Sequence, residues 1–94
     1  MGIEIFRHDD DGYERWLRSH RNGFVVSARQ RITPGFLQLH RAWCDRITIL
    51  QPGATTWTRG EYVKVCASDR AMLERWALDT VGGPVDSSWY CLTG

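Results

Sequence analysis

The stretch FVVSAR at residues 24–29 is rich in β-forming side chains, and its residues alternate between two faces of a predicted strand. One face would carry Phe24, Val26 and Ala28, and the other Val25, Ser27 and Arg29. The turn-forming residues Thr33-Pro34-Gly35 follow. Phe36–His40 then has the pattern of a returning strand. Residues 23–40 therefore predict a β-hairpin.

A short strand and a helix are predicted before this hairpin. Ile3–Phe6 is β-like, and Asp9–Asp11 supply the cap and first-turn acids that favour a helix start. An apolar stripe at helical spacing follows, formed by Tyr13, Trp16, Leu17 and His20. Asn22-Gly23 ends this helix, where we expect Gly23 to adopt a positive φ. The three acids are thus interpreted as capping groups and not as a metal or general-base cluster.

After the hairpin, Ile47–Leu50 is β-like and Arg41–Arg46 is ambiguous between a helical turn and a continued strand. Tyr62–Ala67 predicts another strand, in which Val63 and Val65 face away from Tyr62, Lys64 and Cys66. Ser68-Asp69 caps a second helix whose apolar stripe contains Met72, Leu73, Trp76, Ala77 and Thr80. Gly82-Gly83-Pro84 ends it, and Trp89–Leu92 predicts a last strand or an ordered tail.

The order of these elements indicates a single α+β domain over residues 1–94, with a small antiparallel sheet of about 4–5 strands and two main helices. The length of 94 residues leaves no room for a second core. An apolar fraction of 43% argues against a disordered chain.

The charge of the chain is unevenly distributed. The formal total is +1, yet the segment from Arg15 to Arg46 holds seven Arg against one acid, Asp45. The basic residues are eleven Arg and a single Lys, Lys64. Because the Arg guanidinium is a planar fork of donors, it suits phosphates and guanine edges better than Lys does.

Arginines interleaved with aromatic residues are the combination that holds phosphates and unstacked bases. We assign Trp16 and Trp76 to the core by their helical spacing, while Trp43 and Trp57 have no assigned packing role. Arg29 and Arg31 would share one strand face. The candidate nucleic-acid contacts are Arg29, Arg31, Arg41, Trp43, Arg46, Trp57 and Arg59. The alternative is a solvated hairpin whose arginines pair with nearby acids.

Cysteine and histidine residues offer a second candidate site. His40, Cys44, Cys66 and Cys91 are four residues of the types that bind zinc, although they lack a C-x-x-C spacing. If residues 40–44 were extended, His40 and Cys44 would lie about 13 Å apart, and only a helical turn would bring them together. A thiol–imidazole pair of His40 with Cys44 or Cys66 is a further alternative. The simplest interpretation is that the three cysteines are reduced thiols and that the protein binds no cofactor.

Four segments resemble a small bacterial domain associated with restriction-type proteins that contain an HNH nuclease. They are GFVV at 23–26, LHRAWC at 39–44, YVKVC at 62–66 and LERWA at 73–77. The resemblance covers about residues 10–80 and implies an accessory or targeting module linked to phage defence or restriction. A fainter similarity is to the zinc-binding DNA-phosphotriester sensor domain of bacterial alkylation-repair regulators. His40 and Cys44 match its first ligand pair and Cys91 its last ligand, but Ser88 stands where another Cys belongs.

These observations predict a non-enzymatic module that contacts nucleic acid, with DNA the expected partner. A protein-interaction or regulatory subunit is the alternative, and a small zinc-binding or Cys/His domain is the third. No apolar run reaches the ~18 residues of a membrane span, and the N-terminal residues lack a signal-peptide pattern. We therefore expect a cytoplasmic protein that makes no membrane contact.

Overall fold

A computed structural model of the protein describes residues 2–50 and 53–87, and it contains a four-stranded antiparallel sheet. The strands are β1 (Glu4–Phe6), β2 (Phe24–Arg29), β3 (Leu37–Arg41) and β4 (Tyr62–Ala67), in the spatial order β1-β4-β2-β3. The hairpin of β2 and β3 is present, with Val26 paired to Leu39. Strand β4 pairs with both β1 and β2, so β2 and β4 are the two central strands. The prediction of a small α+β fold is confirmed.

Three α-helices complete the domain: α1 (Asp10–Ser19), α2 (Asp45–Thr48) and α3 (Arg70–Trp76). The Asp9 side chain accepts a hydrogen bond from the Gly12 N–H at the start of α1, and the Asp69 side chain accepts one from the Ala71 N–H at the start of α3. Both helix starts therefore agree with the capping prediction. A π-helical turn, Ala77–Val81, continues α3 and ends at Gly82, whose φ is 102°.

The face of the sheet toward α3 carries the larger apolar core. The alternating side chains of β2 and β4 that include Val26 and Val65 pack there against Leu73 and Ala77. Trp76 is partly buried against the same core, as its helical spacing predicts. Because both central strands are also buried on their other face, β2 and β4 contain few exposed residues.

The opposite face packs against α1 and α2, but only along part of its length. Tyr13 and Trp16 of α1 lie over Val25 and Cys66, together with Ile47 of α2. The Tyr13 hydroxyl donates a hydrogen bond to the Ile47 carbonyl at 2.8 Å and links the two helices. The remaining part of this face, toward Ser27 and Tyr62, lies beyond α1.

Three local expectations were wrong or lie outside the described residues. Residues 47–50 are not a strand, because Ile47 and Thr48 belong to α2, whose main-chain bonds begin at Cys44. Gly23 does not adopt a positive φ. It is required for space, since a Cβ there would lie 2.8 Å from Trp16 and 3.0 Å from the Ala67 carbonyl oxygen. The predicted element at Trp89–Leu92 lies outside the described residues.

Within the described ranges, no helix has both the length and the apolar character that crossing a membrane requires.

Candidate functional site

A cavity of about 380 Å³ lies over the part of the sheet that α1 leaves uncovered. We call it the sheet cavity. The floor of this cavity is polar. The strand register places three of its residues side by side, because Ser27 pairs with Gln38 on one side and with Lys64 on the other. The described residues that line it are Ser27, Phe36, Gln38, His40, Arg46, Ile47, Ile49, Leu50, Ala54, Thr56, Trp57, Tyr62 and Lys64. Its volume falls within the range of small-molecule sites.

Lys64 is the principal charged group on the cavity floor. Its side chain is only 5% exposed, and its Nζ donates a hydrogen bond to the Ser27 Oγ at 2.9 Å. The Tyr62 ring lies 5.6 Å from the same Nζ. Burial lowers the pKa of Lys64 to about 8. Among the described residues, no carboxylate forms an ion pair with this ammonium group.

His40 lies on β3 beside this charge and is also buried. Burial, together with the charges of Lys64 and Arg46, lowers the pKa of His40 to about 4 against an opposing effect of Asp86. The imidazole is therefore neutral at neutral pH, with one nitrogen able to donate and the other able to accept. The cavity thus combines a buried cation with a neutral polar ring.

A hydrogen-bonded loop holds Trp57 at the side of the sheet cavity. The Asp10 carboxylate accepts hydrogen bonds from the Thr56 hydroxyl, the Thr58 N–H and the Thr58 hydroxyl. Trp57 lies between these two threonines and packs against Tyr13, with ring centroids 6.1 Å apart. The sequence assigned no packing role to Trp57, and the structure places its ring against the α1 side of the core. Its indole N–H is buried and has no hydrogen-bond partner in the described part of the chain.

A second cavity of about 290 Å³ lies on the other side of Trp57, between α1 and the turn after β3. We call it the Trp43 groove, lined by Glu14, Leu17, Arg18, Arg21, Ala42, Trp43, Thr48 and Trp57. Trp43 is 56% exposed, which is unusual for so large an aromatic side chain. Arg18 and Arg21 are both exposed. The groove therefore brings an exposed indole ring and two guanidinium groups together.

The predicted nucleic-acid residues do not form one surface. Trp43 and Trp57 line the Trp43 groove, while Arg46 and Trp57 line the sheet cavity. Arg29 lies at the far end of β2, 3.7 Å from the Glu61 carboxylate, with its guanidinium 4.6 Å from the Phe36 ring centre. Arg59 is exposed in the loop before β4.

Two placements within that set were wrong. Arg29 and Arg31 do not share a strand face, because β2 ends at Arg29 and Arg31 lies in the following loop. Arg41 pairs with Phe24 and lies 5.4 Å from its ring centre, on the α3 side of the sheet. Arg41 is therefore directed away from both cavities.

The predicted metal ligands are spread across the sheet. His40 and Cys66 pair with Val25 from opposite sides, so two strand spacings of about 4.8 Å separate their backbones. Cys44 is buried beside α2, and Cys91 lies outside the described residues. Within the described ranges, no three His, Cys, Asp or Glu side chains form a metal-binding group. Burial raises the pKa of the Cys66 thiol, which opposes its use as a nucleophile.

Three contributors to these cavities were missed from the sequence. Arg18 lies in α1 and Arg21 in the turn that follows it, and their neighbour in the groove, Trp43, is distant in the chain. The sequence did contain a feature that could have identified Lys64 as a cavity residue, because the chain's single lysine alternates with valines in a predicted strand. Its burial follows from the central position of β4, which only the sheet order reveals.

Comparisons with family models, with curated proteins and with solved structures find no match to this chain.

Proposed function

We propose that this protein is a non-enzymatic nucleic-acid-binding module, and that single-stranded DNA binds in the Trp43 groove. The observation that carries the proposal is the exposed Trp43 ring beside Arg18 and Arg21. An exposed indole provides a stacking surface for any base, and arginines beside it provide phosphate contacts. If Trp43 had only a packing role, its side chain would ordinarily be buried.

A single strand fits the groove better than a duplex for a physical reason. Stacking on Trp43 requires an unstacked base, and bases in a duplex are already stacked on each other. Among the described residues, Glu14 is the only acid that lines the groove, so the two arginines leave its local charge positive. Arg46 and Trp57 lie on the neighbouring sheet-cavity side, where they extend the basic and aromatic surface.

The test is fluorescence anisotropy with a labelled oligothymidine, a duplex of the same length and the matching RNA, at low salt. We expect saturable binding that is strongest for the single strands. Trp43→Ala should weaken it about tenfold, since stacking contributes ~1–3 kcal/mol per base. Replacing both Arg18 and Arg21 by Ala should lower the slope of log affinity against log salt by about 1.4, or ~0.7 per phosphate contact.

Arg75→Ala is the matched control for charge, because Arg75 is exposed on α3 beside a cavity on the other side of the molecule. It should leave both affinity and salt slope unchanged. Undetectable binding at about 50 mM salt would refute the proposal. A stronger affinity for the duplex would contradict the assignment to single strands.

A protein-interaction module is the second candidate, because Trp43 and Ile49 flank α2 in the chain and are 56% and 61% exposed. Neighbouring exposed apolar side chains are typical of protein interfaces. In an affinity capture experiment, this function predicts that Ile49→Ser and Trp43→Ala both lose a partner that the Arg18/Arg21 double variant retains. The nucleic-acid function predicts that Ile49→Ser binds the oligonucleotide as tightly as the wild type.

A further inference from the structure

The sheet cavity contains a buried charge that forms no ion pair with any described residue; the Asp10 carboxylate favours this charge only through a longer-range Coulomb interaction, which burial outweighs. Of twelve basic residues, eleven are Arg, and the one lysine occupies a buried position on a central strand. Its Nζ has a hydroxyl partner, Ser27, and no ion pair with any described residue. Burying an ammonium without a counter-charge opposes folding, and such arrangements are typical of binding sites.

The position of Lys64 directs this charge into the cavity and not into the core. Its side chain lies on the sheet face of Ser27 and Tyr62, whereas Val63 and Val65 fill the core on the α3 side. The same face carries Val25 and Cys66 under α1, but that helix does not extend over Lys64. The ammonium group therefore lines open space that a ligand can occupy.

The walls of the cavity are mainly apolar and aromatic. Phe36 and Tyr62 stack on each other with ring centroids 5.5 Å apart, and Trp57 and Ile47 contribute further apolar surface. Arg46 is exposed at the same cavity and adds a second positive charge. Such a combination of one buried cation and apolar walls fits a molecule with one anionic end and an apolar body.

We propose that the sheet cavity binds a small organic carboxylate, whose anionic group pairs with the Lys64 ammonium and whose apolar body lies against the aromatic walls. A carboxylate matches the single buried positive charge. The Gln38 amide also lines the cavity, where it can form a hydrogen bond to the ligand. This site lies on the other side of Trp57 from the Trp43 groove and shares that side chain with it, but the proposal does not depend on nucleic-acid binding.

The test uses benzoate, its neutral analogue benzamide and inorganic phosphate, each titrated into isotopically labelled protein and followed by amide NMR shifts. We expect benzoate to shift the amides of Ser27, Gln38 and Lys64 in a saturable way. It should bind at least tenfold more tightly than benzamide, because only the carboxylate pairs with the ammonium. Inorganic phosphate should bind more weakly than benzoate, since it makes no apolar contact.

Lys64→Met keeps the length of the side chain and removes its charge, so it should abolish the preference for benzoate over benzamide. Arg75→Met makes the same change beside a different cavity and should retain the full preference. Equal binding of benzoate and benzamide to the wild type would overturn the proposal, and this comparison needs no variant to fold. Binding of phosphate alone, a preference that survives in Lys64→Met, or shifts confined to the Trp43 groove would also overturn it.

Discussion

The Lys64 ammonium donates a hydrogen bond to the Ser27 hydroxyl at 2.9 Å, across the register that pairs these two residues on β4 and β2. Both residues are buried, so the bond lies in a low-dielectric region. A single neutral acceptor replaces only part of the hydration that the ammonium loses on folding. The buried charge therefore lowers the stability of the domain at neutral pH.

Replacing Lys64 by Met should stabilise the protein by about 1–3 kcal/mol at pH 7, because the pKa of Lys64 falls from 10.5 to about 8 on folding. Between these two values the unfolded chain binds more protons than the folded one. The wild type therefore gains stability from this group as pH rises from 8 to 10.5, and the advantage of the variant shrinks. Urea unfolding of both proteins at pH 7 and pH 10 measures the difference.

The comparison must be between variant and wild type, because other groups also titrate in this range. Burial raises the pKa of Tyr13 and of Cys66, so both make the protein less stable as pH rises above their unfolded values. The Tyr13 effect cancels in the difference, whereas the Cys66 effect cancels only in part, because the Lys64 charge lowers the pKa of Cys66 and the variant removes that charge. Because Lys64 is the single lysine, NMR of its side chain gives one signal. A titration midpoint near 10.5 would contradict the burial of its charge.

Gly23→Ala should destabilise the fold by about 1–3 kcal/mol, the usual cost of forcing atoms into a packed region. The added Cβ would lie 2.8 Å from Trp16 and 3.1 Å from the His20 carbonyl oxygen. Gly35→Ala is the control, since a Cβ there meets nothing within 4 Å and the φ is not positive. Its effect on the free energy of unfolding should stay within about 0.5 kcal/mol. Equal effects of the two substitutions would contradict the close approach at Gly23.

Asp10→Ala should destabilise the protein by about 2–3 kcal/mol, because three hydrogen-bond donors of Thr56 and Thr58 lose their acceptor. Asp11→Ala is the control for helix-end charge, since Asp11 lies in the same first turn and is exposed. It should cost only a few tenths of a kcal/mol. Trp57 fluorescence should change in the first variant and not in the second.

The contribution of Asp10 should also depend on pH. Burial raises the pKa of Asp10, but hydrogen bonds from Thr56 and Thr58 outweigh it and hold the pKa below the ordinary 3.8. Its stabilisation is therefore present above that value and is lost as pH falls through the lower folded pKa. Acid unfolding curves of the wild type should consequently be steeper than those of Asp10→Ala. Parallel curves would contradict the ionised, hydrogen-bonded carboxylate.

We expect the purified protein to hold no stoichiometric zinc. His40 and Cys66 are separated by β2, whereas zinc requires its ligand atoms within about 2.3 Å of one ion. Metal analysis of protein prepared without chelator, repeated on His40→Ala, tests this. One zinc per chain that is lost in the variant would restore the zinc-binding alternative.

Local patterns in the sequence were sufficient for most of the fold. The alternation in residues 24–29 and 62–67 assigned each side chain of β2 and β4 to the correct face, because the pleat has a period of two residues. The helix caps at Asp9 and Asp69 were also predictable, because each cap depends on residues within three positions of it. Residues 47–50 were misassigned because a short β-branched run is compatible with a helical turn whose bonds start at Cys44.

The candidate sites were much less predictable. The sequence grouped the arginines by their proximity along the chain, yet the sheet separates Arg41 from Arg46 and places Arg29 at a distant end. The groove instead combines Trp43 with Arg18 of α1 and Arg21 of the turn after it, which precede Trp43 by more than twenty residues. These contacts between distant residues depend on which strands are neighbours in the sheet. The order of the strands produces no local pattern in the sequence.

The sequence by itself determined the elements, the caps and the two faces of each central strand, because these depend on residues within a few positions of one another. Only the tertiary structure decided that β4 lies between β1 and β2, which buries the lone lysine beside Ser27. It also decided that α1 covers only part of the sheet and leaves the sheet cavity open. Both outcomes arise from contacts between residues far apart in the chain, which sequence spacing does not encode.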